Sequence, residues 1–465
     1  IRLCQLVDGM PLALELAAAW MRTLTVAEVV GEITHSADFL TSTMRDAAPR
    51  HRSLRAVFDS SWRMLTTAEQ ATYAGAAIFR GGFDLDAARA VIDASPVLLA
   101  RLRDKSLLRR DADGRFRRHP MLLQFAVEHL QTEPAHWTQT AQRHGQYFAH
   151  MLEQQTPALY GAAQPAALAT IRRDLDNIWQ AWRLAGELRS FAFFDAVLDA
   201  MLLVFDVLGL MRTACELCRN ASQQLTREGL KTPTERIVAA RVQALEGVAE
   251  FRLGNFAHAR ELTEAALAIM TAEQAPPWGL GHTHIFLGGA YFGLGDLDRT
   301  LAEFHCALDA YTAADSAWGC ATALGNIAEM YMVWGANAQA LDFAERAQRL
   351  AEPTGNPYLL AHNTYRLAVL LAGAGDYPAA QRYQQASLRY ARQLNYACGE
   401  GMAMASLGDI AFATGDFVEA ARRFADAVEL HRTAGNWMDE ARALVRQAEA
   451  MLALTQLEPC RTLLH

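Results

Sequence analysis

Lysine is nearly missing from this 465-residue chain: Lys105 and Lys231 are the only two among 43 basic side chains. That leaves little room for lysine-based nucleophilic chemistry. The arginine excess reads as the coding bias of a GC-rich, bacterial genome. Long apolar runs are missing too. The strongest, "AVLDAMLLVFDVLGL", is broken by Asp199 and Asp206, so no membrane span is expected. There is no G-x-x-x-x-G-K-[ST] phosphate loop, no H-E-x-x-H and no legible Ser/His/Asp arrangement. We therefore expect no enzyme within these residues, and assign no catalytic residue and no metal ligand. His282 and His284 flank one residue of a helix and point to different sides, which is poor for a single ion.

Disulfide patterning is absent as well. Seven cysteines, an odd number at irregular spacing, fit a reducing compartment and a cytoplasmic location. Cys215 and Cys218 form a C-x-x-C, but within a helical pattern and with no second pair. They read as two partly buried helical thiols. No signal peptide or initiator Met is present, and Ile1 falls mid-helix in pattern, so a fragment of a longer protein is expected.

At 52% hydrophobic and 20% charged residues, the chain has the composition of a globular protein with several domains. A net charge of −8 argues against a chain-wide nucleic-acid footprint.

What is there, above all, is a repeat. Gly254, Gly295, Gly335, Gly375 and Gly415 recur at intervals of 41, 40, 40 and 40 residues. Small residues follow five positions on (Ala259, Thr300, Ala340, Ala380, Ala420) and twelve on (Ala266, Ala307, Ala347, Ser387, Ala427). Others lie seven before (Gly247, Gly288, Ala328, Ala368, Gly408). Small side chains on both sides of a glycine turn let two antiparallel helices approach closely, with the glycine as left-handed cap. Phe256, Leu297, Tyr377 and Phe417 would plug the hairpin ends. Gly209, Ala214 and Ala221 suggest a degenerate earlier copy, and Thr455, Leu457 and Cys460 a truncated later one. The pattern resembles the tetratricopeptide repeat, with a period of about 40. Such hairpins stack into an α-α superhelix whose concave face is lined by the first helices. Candidates there are Arg241, Phe251, His282, Phe292, Glu329, Met332, Tyr365, Asp409 and Phe412.

The first half reads differently. "HRSLRAVFDSSWRML" is an amphipathic helix carrying Leu54, Val57, Phe58, Trp62 and Leu65. A helix capped by Thr66 or Thr67 follows, with Glu69 or Gln70 completing the cap. "GGF" breaks the chain before two further helices. "SLLRRDADGRFRRHP" predicts two short strands around Asp113 and Gly114, and "MLLQFAVEHL" a closing helix. Helices, a β-hairpin and a helix amount to a winged-helix-like domain. Residues 48–130 hold fourteen basic against nine acidic side chains, about +5, much of it on the hairpin. A solvated wing or an acidic intramolecular partner explains that charge as well as DNA would, and direct DNA binding is not favoured.

This order of parts, "GMPLAL" near the start, "RHRSLRAVFDSSWRML", "FRGGF", "LLRR…RFRRHPMLLQFA" and then the repeats, resembles the signal-transduction ATPases of the NB-ARC/STAND class. These include large bacterial transcriptional regulators. The resemblance implies nucleotide-contacting roles for Pro11, which matches the proline packed on adenine, and His119, which matches the histidine meeting the ADP β-phosphate. Pro120 stands where that motif has an acid. ADP or ATP would be held in the intact protein only, because the phosphate loop would lie upstream. The resemblance further implies partners: an upstream nucleotide-binding domain, a protein or small-molecule ligand on the repeats, and oligomerisation on activation.

The organisation expected is thus mainly α. Residues 1–48 would be the helical end of a nucleotide-binding module and 49–132 a winged-helix-like domain. Residues 133–190 would be connecting helices and 191–465 the tetratricopeptide-type superhelix. The expected function is the regulatory and sensor region of a STAND-type signalling or transcriptional regulator. The alternative is a tetratricopeptide interaction scaffold without nucleotide switching.

Overall fold

The computed structural model describes residues 24–35, 61–118 and 120–454, together with positions 2, 14, 17, 18, 21 and 58. Pro11, His119, and the truncated last copy at Thr455, Leu457 and Cys460 lie outside the described residues. The chain forms two compact units, residues 1–150 with 174–185, and residues 151–173 with 186–465. The sequence reading placed boundaries at 132 and 190 instead. Residues 174–185 group with the first unit.

In the first unit, α1 (Val26–His35) is followed by α2 (Thr67–Gly75), α3 (Leu85–Ile92) and α4 (Pro96–Asp104). Strands β1 (Leu108–Arg110) and β2 (Phe116–Arg118) come next, then α5 (Pro120–Gln131) and α6 (Pro134–Leu159). Thr66 caps α2: its hydroxyl accepts from the Glu69 N–H at 3.3 Å while the Glu69 carboxylate accepts from the Thr66 N–H at 2.8 Å. The two strands pair antiparallel, Leu108 opposite Arg118, around a turn in which Gly114 takes a φ of 84°. Phe83, which the sequence reading treated as part of a chain break, adds a bridge to β2, with Phe116 N–H donating to the Phe83 carbonyl at 2.7 Å. Phe79, Phe83 and Phe116 stack in succession beneath this hairpin. Trp62 lies flat on His129 at 4.0 Å and edge-on to Phe125, which ties α5 to the segment before α2.

The returning segment opens with Asp174, ahead of α8 (Leu175–Glu187). Arg115, 2% exposed, forms a two-pronged ion pair with Asp174 at 2.6 and 3.0 Å. It also donates to the Gly82 carbonyl at 2.7 Å. Asn177 completes the joint. Its Nδ2 donates to the same carbonyl at 2.8 Å, and its Oδ1 accepts from the Arg80 N–H at 2.7 Å.

The second unit contains α7 (Gln164–Arg173), α9 (Phe191–Val207) and α10 (Met211–Thr226), then a run of hairpins. The hairpins pair α11 (Pro233–Arg252) with α12 (Phe256–Ala272), α13 (Pro277–Gly293) with α14 (Leu297–Ala313), and α15 (Ala317–Val333) with α16 (Asn337–Ala351). They continue with α17 (Pro357–Gly373) and α18 (Tyr377–Leu394), α19 (Ala397–Ala413) and α20 (Phe417–Ala434), and a final first-type helix, α21 (Trp437–Ala453). This is an α-α superhelix of tetratricopeptide-type hairpins.

The register follows the small-residue pattern. Ala259, Thr300, Ala340, Ala380 and Ala420 are fully buried, as are Ala266, Ala307, Ala347 and Ala427. A Cβ on Gly247, Gly288 or Gly408 would come within 2.6–2.8 Å of the partner helix's Thr263, Phe304 or Phe424 side chain. Each turn glycine is left-handed, with φ between 71° and 87°. The next residue's N–H reaches back to the first helix, as in Asp296 to the Tyr291 carbonyl at 3.0 Å, so the orphan carbonyls are satisfied. In three of these turns that next residue, Asp296, Asp376 or Asp416, then caps the second helix. The sequence reading missed a second left-handed series, at the junctions between hairpins: Gln274, Asp315, Gly355, Asn395 and Gly435. It keeps the same 41, 40, 40, 40 spacing. Its residue types are mixed, which hid it.

Candidate functional site

The superhelix turns far enough for its ends to meet. Trp437, at the start of α21, lies over the Gly254 turn of the first hairpin, where a Cβ would be 2.9 Å from the indole. Its indole N–H points to the Leu253 carbonyl at 3.4 Å. The chain between α6 and α7 enters the ring. Tyr160 packs edge-on against Trp278 and Trp318, and Asn356 donates to the Leu159 carbonyl at 2.9 Å.

Enclosed by this ring is a cavity of about 640 Å³. Helices α9, α11, α13, α15, α17, α19 and α21 all contribute to its wall. Much of that wall is aromatic and aliphatic, including Phe251, Phe286, Phe292, Trp318 and Tyr358. Its charges are paired in place: Arg252 with Asp206 at 3.0 Å, Arg366 with Glu329 at 3.5 Å, and Arg442 with Asp439 at 3.2 Å. Arg366 also donates to the Asn326 side chain at 2.6 Å. The lining is therefore balanced in charge, with polar groups set among rings.

Five of the nine concave-face candidates line this cavity: Phe251, His282, Phe292, Glu329 and Tyr365. His282 is 9% exposed, stacked near Trp318 and edge-on to Trp278, with Nδ1 3.1 Å from the Trp278 carbonyl. Burial holds its imidazole below the usual histidine range, and burial raises the Tyr365 phenol. His362, not singled out from sequence, also lines the wall, and burial beside Arg366 and Arg252 lowers it to about 3.

The other four candidates sit elsewhere. Arg241 is held by Asp195 and Asp199 at 2.7 and 2.6 Å. Met332 packs between helices with Ala328, Ala340 and Ala344. Asp409 pairs with Arg446 at 2.8 Å, and Phe412 stacks edge-on with Phe417. The wall residues contributed by α21 and by the closing tryptophan's neighbourhood were not foreseen. They reach the cavity only because the ends of the superhelix meet.

The C-x-x-C is buried on α10. Cys215 donates to Glu250 at 3.0 Å, and burial pushes its thiol up to about 12. Full burial also raises the Cys218 thiol well above the usual range. Among the described residues, no helix is long and apolar enough to cross a membrane.

The arginines of the basic hairpin make contacts within the first unit. Arg115 is consumed by Asp174, and Arg118 by the Ala76 and Phe79 carbonyls. Burial lowers Arg118 to about 10. Arg109 and Arg117 both pair with Asp111, and Arg110 donates to the Gly114 carbonyl at 3.1 Å.

No family model matches the chain. A "putative HTH-type transcriptional regulator" of Mycobacterium tuberculosis is 40% identical over 123 residues, which is 25% of this chain and 14% of that protein. The chain thus matches about a seventh of that relative's length. An uncharacterized protein of the same organism is 36% identical over 89 residues, 19% of this chain and 23% of its own. Among solved structures, a signal transduction ATPase with numerous domains (STAND) from Pyrococcus horikoshii, bearing a tetratricopeptide repeat sensor, is similar over 97% of this chain and 74% of its own. Its TM-score is 0.43 at 13% identity. The apo quorum sensor NprR of B. thuringiensis covers 64% of this chain and 95% of its own, at TM-score 0.41 and 15% identity.

Proposed function

We propose that the chain is the regulatory and sensor region of a STAND-type signalling or transcriptional regulator, and that its repeat ring takes up a small-molecule signal. The observation that carries this reading is the cavity of about 640 Å³ within the ring. That volume lies within the roughly 300–1,000 Å³ of small-molecule sites, and its mix of rings and a few placed polar groups is the usual composition of such sites. Because the wall's charges are already paired with one another, an amphipathic molecule of low net charge suits it better than a multiply charged one. The chain is proposed to bind and to report, not to catalyse. The match to an HTH-type regulator supports the regulatory part of the reading.

The first unit is proposed to be the winged-helix-like relay between sensor and nucleotide module, with Pro11 and His119 as its nucleotide contacts. Among the described residues, the hairpin arginines Arg115 and Arg118 are taken up within the unit, which favours this relay over duplex binding.

A thermal-shift screen of uncharged and singly charged metabolites tests the sensor reading. We expect ligands that raise the melting temperature of the chain, and we expect Thr322→Trp, which fills the cavity, to abolish the rise. Equal protection of both proteins would move the site elsewhere. The absence of any small ligand, with a protein captured on the repeats instead, would favour the interaction scaffold.

A further inference from the structure

We propose that Cys398, His431 and Asp439 form a transition-metal site, of the kind that takes Zn²⁺, at the closing end of the repeat ring. This inference stands independently of the sensor reading. One donor atom from each residue lies within 4.8 Å of the other two. The three come from successive helices: Cys398 from the first turn of α19, His431 from the end of α20, and Asp439 from the first turn of α21. Thiolate, imidazole and carboxylate are the three side-chain donors that zinc uses.

A second observation points to an ion. His431 is 1% exposed, and its Nδ1 is buried without a hydrogen-bond partner. Buried polar nitrogens are almost always satisfied, and this ring, with one bare, also sets a nitrogen in the cluster with the Cys398 thiol and the Asp439 carboxylate. The ring is set in place by Gly401, where a Cβ would fall 2.7–3.0 Å from its edge. Tetrahedral zinc holds its ligands at about 2.0–2.3 Å, which brings donors to roughly 3.3–3.8 Å of one another, so the three need to close by only about an ångström.

The groups now contacting these donors can leave. Asn436 donates to the Asp439 carboxylate at 2.8 Å and to the Cys398 sulfur at 3.4 Å. Arg442, which pairs with Asp439, is 69% exposed, and an exposed pair of that kind contributes little. Cys398, Asn436, Asp439 and Arg442 all line the cavity, so the metal's fourth position would face it. Among the described residues, a second cluster with a metal-type donor set, Cys215, Glu246 and Glu250, differs in one respect. Arg219 already lies among its donors, 3.1 Å from Glu246, 2.7 Å from Glu250 and 3.1 Å from the Cys215 sulfur. A guanidinium supplies the positive charge there.

Cobalt(II) reports the site directly, because a cobalt–thiolate bond gives a charge-transfer absorption in the near ultraviolet. The reduced, chelator-treated 465-residue chain is titrated with Co²⁺ and then with Zn²⁺. We expect one equivalent of Co²⁺ to produce the thiolate band and Zn²⁺ to remove it. Cys398→Ser should abolish the band, and Cys215→Ser should leave it intact. Asp439→Asn should keep the band but weaken Co²⁺ binding at least about tenfold, since even the outer partners of metal ligands contribute roughly 10–100-fold. If Cys398→Ser fails to fold by circular dichroism, Asp439→Asn decides, and an unchanged Co²⁺ affinity would overturn the site. No thiolate band in the unaltered chain, or a band that survives Cys398→Ser or disappears in Cys215→Ser, would overturn it as well.

Discussion

The two units of this chain are stabilised by opposite strategies. The first depends on single, non-repeating polar joints. Arg115 reaches the Asp174 carboxylate across 59 residues of sequence, and both Arg115 and Asn177 donate to the Gly82 carbonyl. The second depends on the same apolar contact made five times, a small residue set against a helix partner. The difference teaches where information about a fold resides. A joint made once leaves no statistical trace, whereas a contact made every 40 residues announces itself. It also predicts that damage in the first unit is concentrated at a few residues, while in the second it is moderate and similar from repeat to repeat.

The sharpest way to break that contrast is Arg115→Ala. Removing one partner of a buried ion pair leaves Asp174 uncompensated, at a cost of about 3–5 kcal/mol. Hydrogen exchange should accelerate across α2–α5 and stay unchanged across α11–α20. Uniform acceleration of both would show that the units do not unfold separately.

Next in size is Ala307→Leu in the second unit. Ala307 is fully buried against Tyr311 and Ala323, so added methyl groups should cost roughly 1–3 kcal/mol in a chemical denaturation series. Ala266→Leu and Ala347→Leu should fall in the same range. A large spread among the three would mean that the repeats are less equivalent than their register.

Gly375 isolates backbone from packing. A Cβ there meets nothing within 4 Å, yet φ is +83°. Gly375→Ala should therefore cost roughly 1–2 kcal/mol through strain alone. Gly373→Ala, two residues earlier with equally open space and an ordinary helical backbone, should stabilise by about 0.5–1 kcal/mol. Equal effects at both positions would remove the left-handed turn from the account.

The smallest effect is expected at Glu69, and it is one of pH. Lys105 at 2.7 Å, together with the Thr66 backbone bond, holds this carboxyl down to about 2 from an ordinary 4.5. A lowered folded-state value means that the stabilisation is fully present above about pH 4.5 and is lost as pH falls toward 2. Glu69→Gln should lower the melting temperature of the first unit at pH 7 and have no effect near pH 2. The same decrement at both pH values would assign the residue a packing role only.

The hairpin register was legible in the sequence because glycine and alanine mark it directly. The β-hairpin was legible from Asp113, Gly114 and the apolar–basic strands around them. The candidate site was legible only in part. Phe251, His282, Phe292, Glu329 and Tyr365 were found because they lie on the inner face of first helices. Arg241 does not line this cavity; its partners, Asp195 and Asp199, belong to α9, outside the period. Met332 and Phe412 do not line it; at the end of a first helix they pack against the hairpin partner. Cys398, Asp439 and the rest of the closing wall could not be assigned to a cavity, because that depends on Trp437 meeting Gly254 from 183 residues away. The five left-handed junctions between hairpins escaped notice because glutamine, asparagine, aspartate and glycine share a conformation there without sharing a letter.

That meeting of Trp437 with the Gly254 turn has a consequence for how such a chain can evolve. An open solenoid gains or loses a 40-residue unit at little cost, since each unit contacts only its neighbours. A closed one counts. Duplicating one hairpin would carry the indole a full unit past its seat and leave the first and last helices unmatched. The contact therefore ties the fold to its copy number, and variation is expected to accumulate by substitution inside the units rather than by their multiplication.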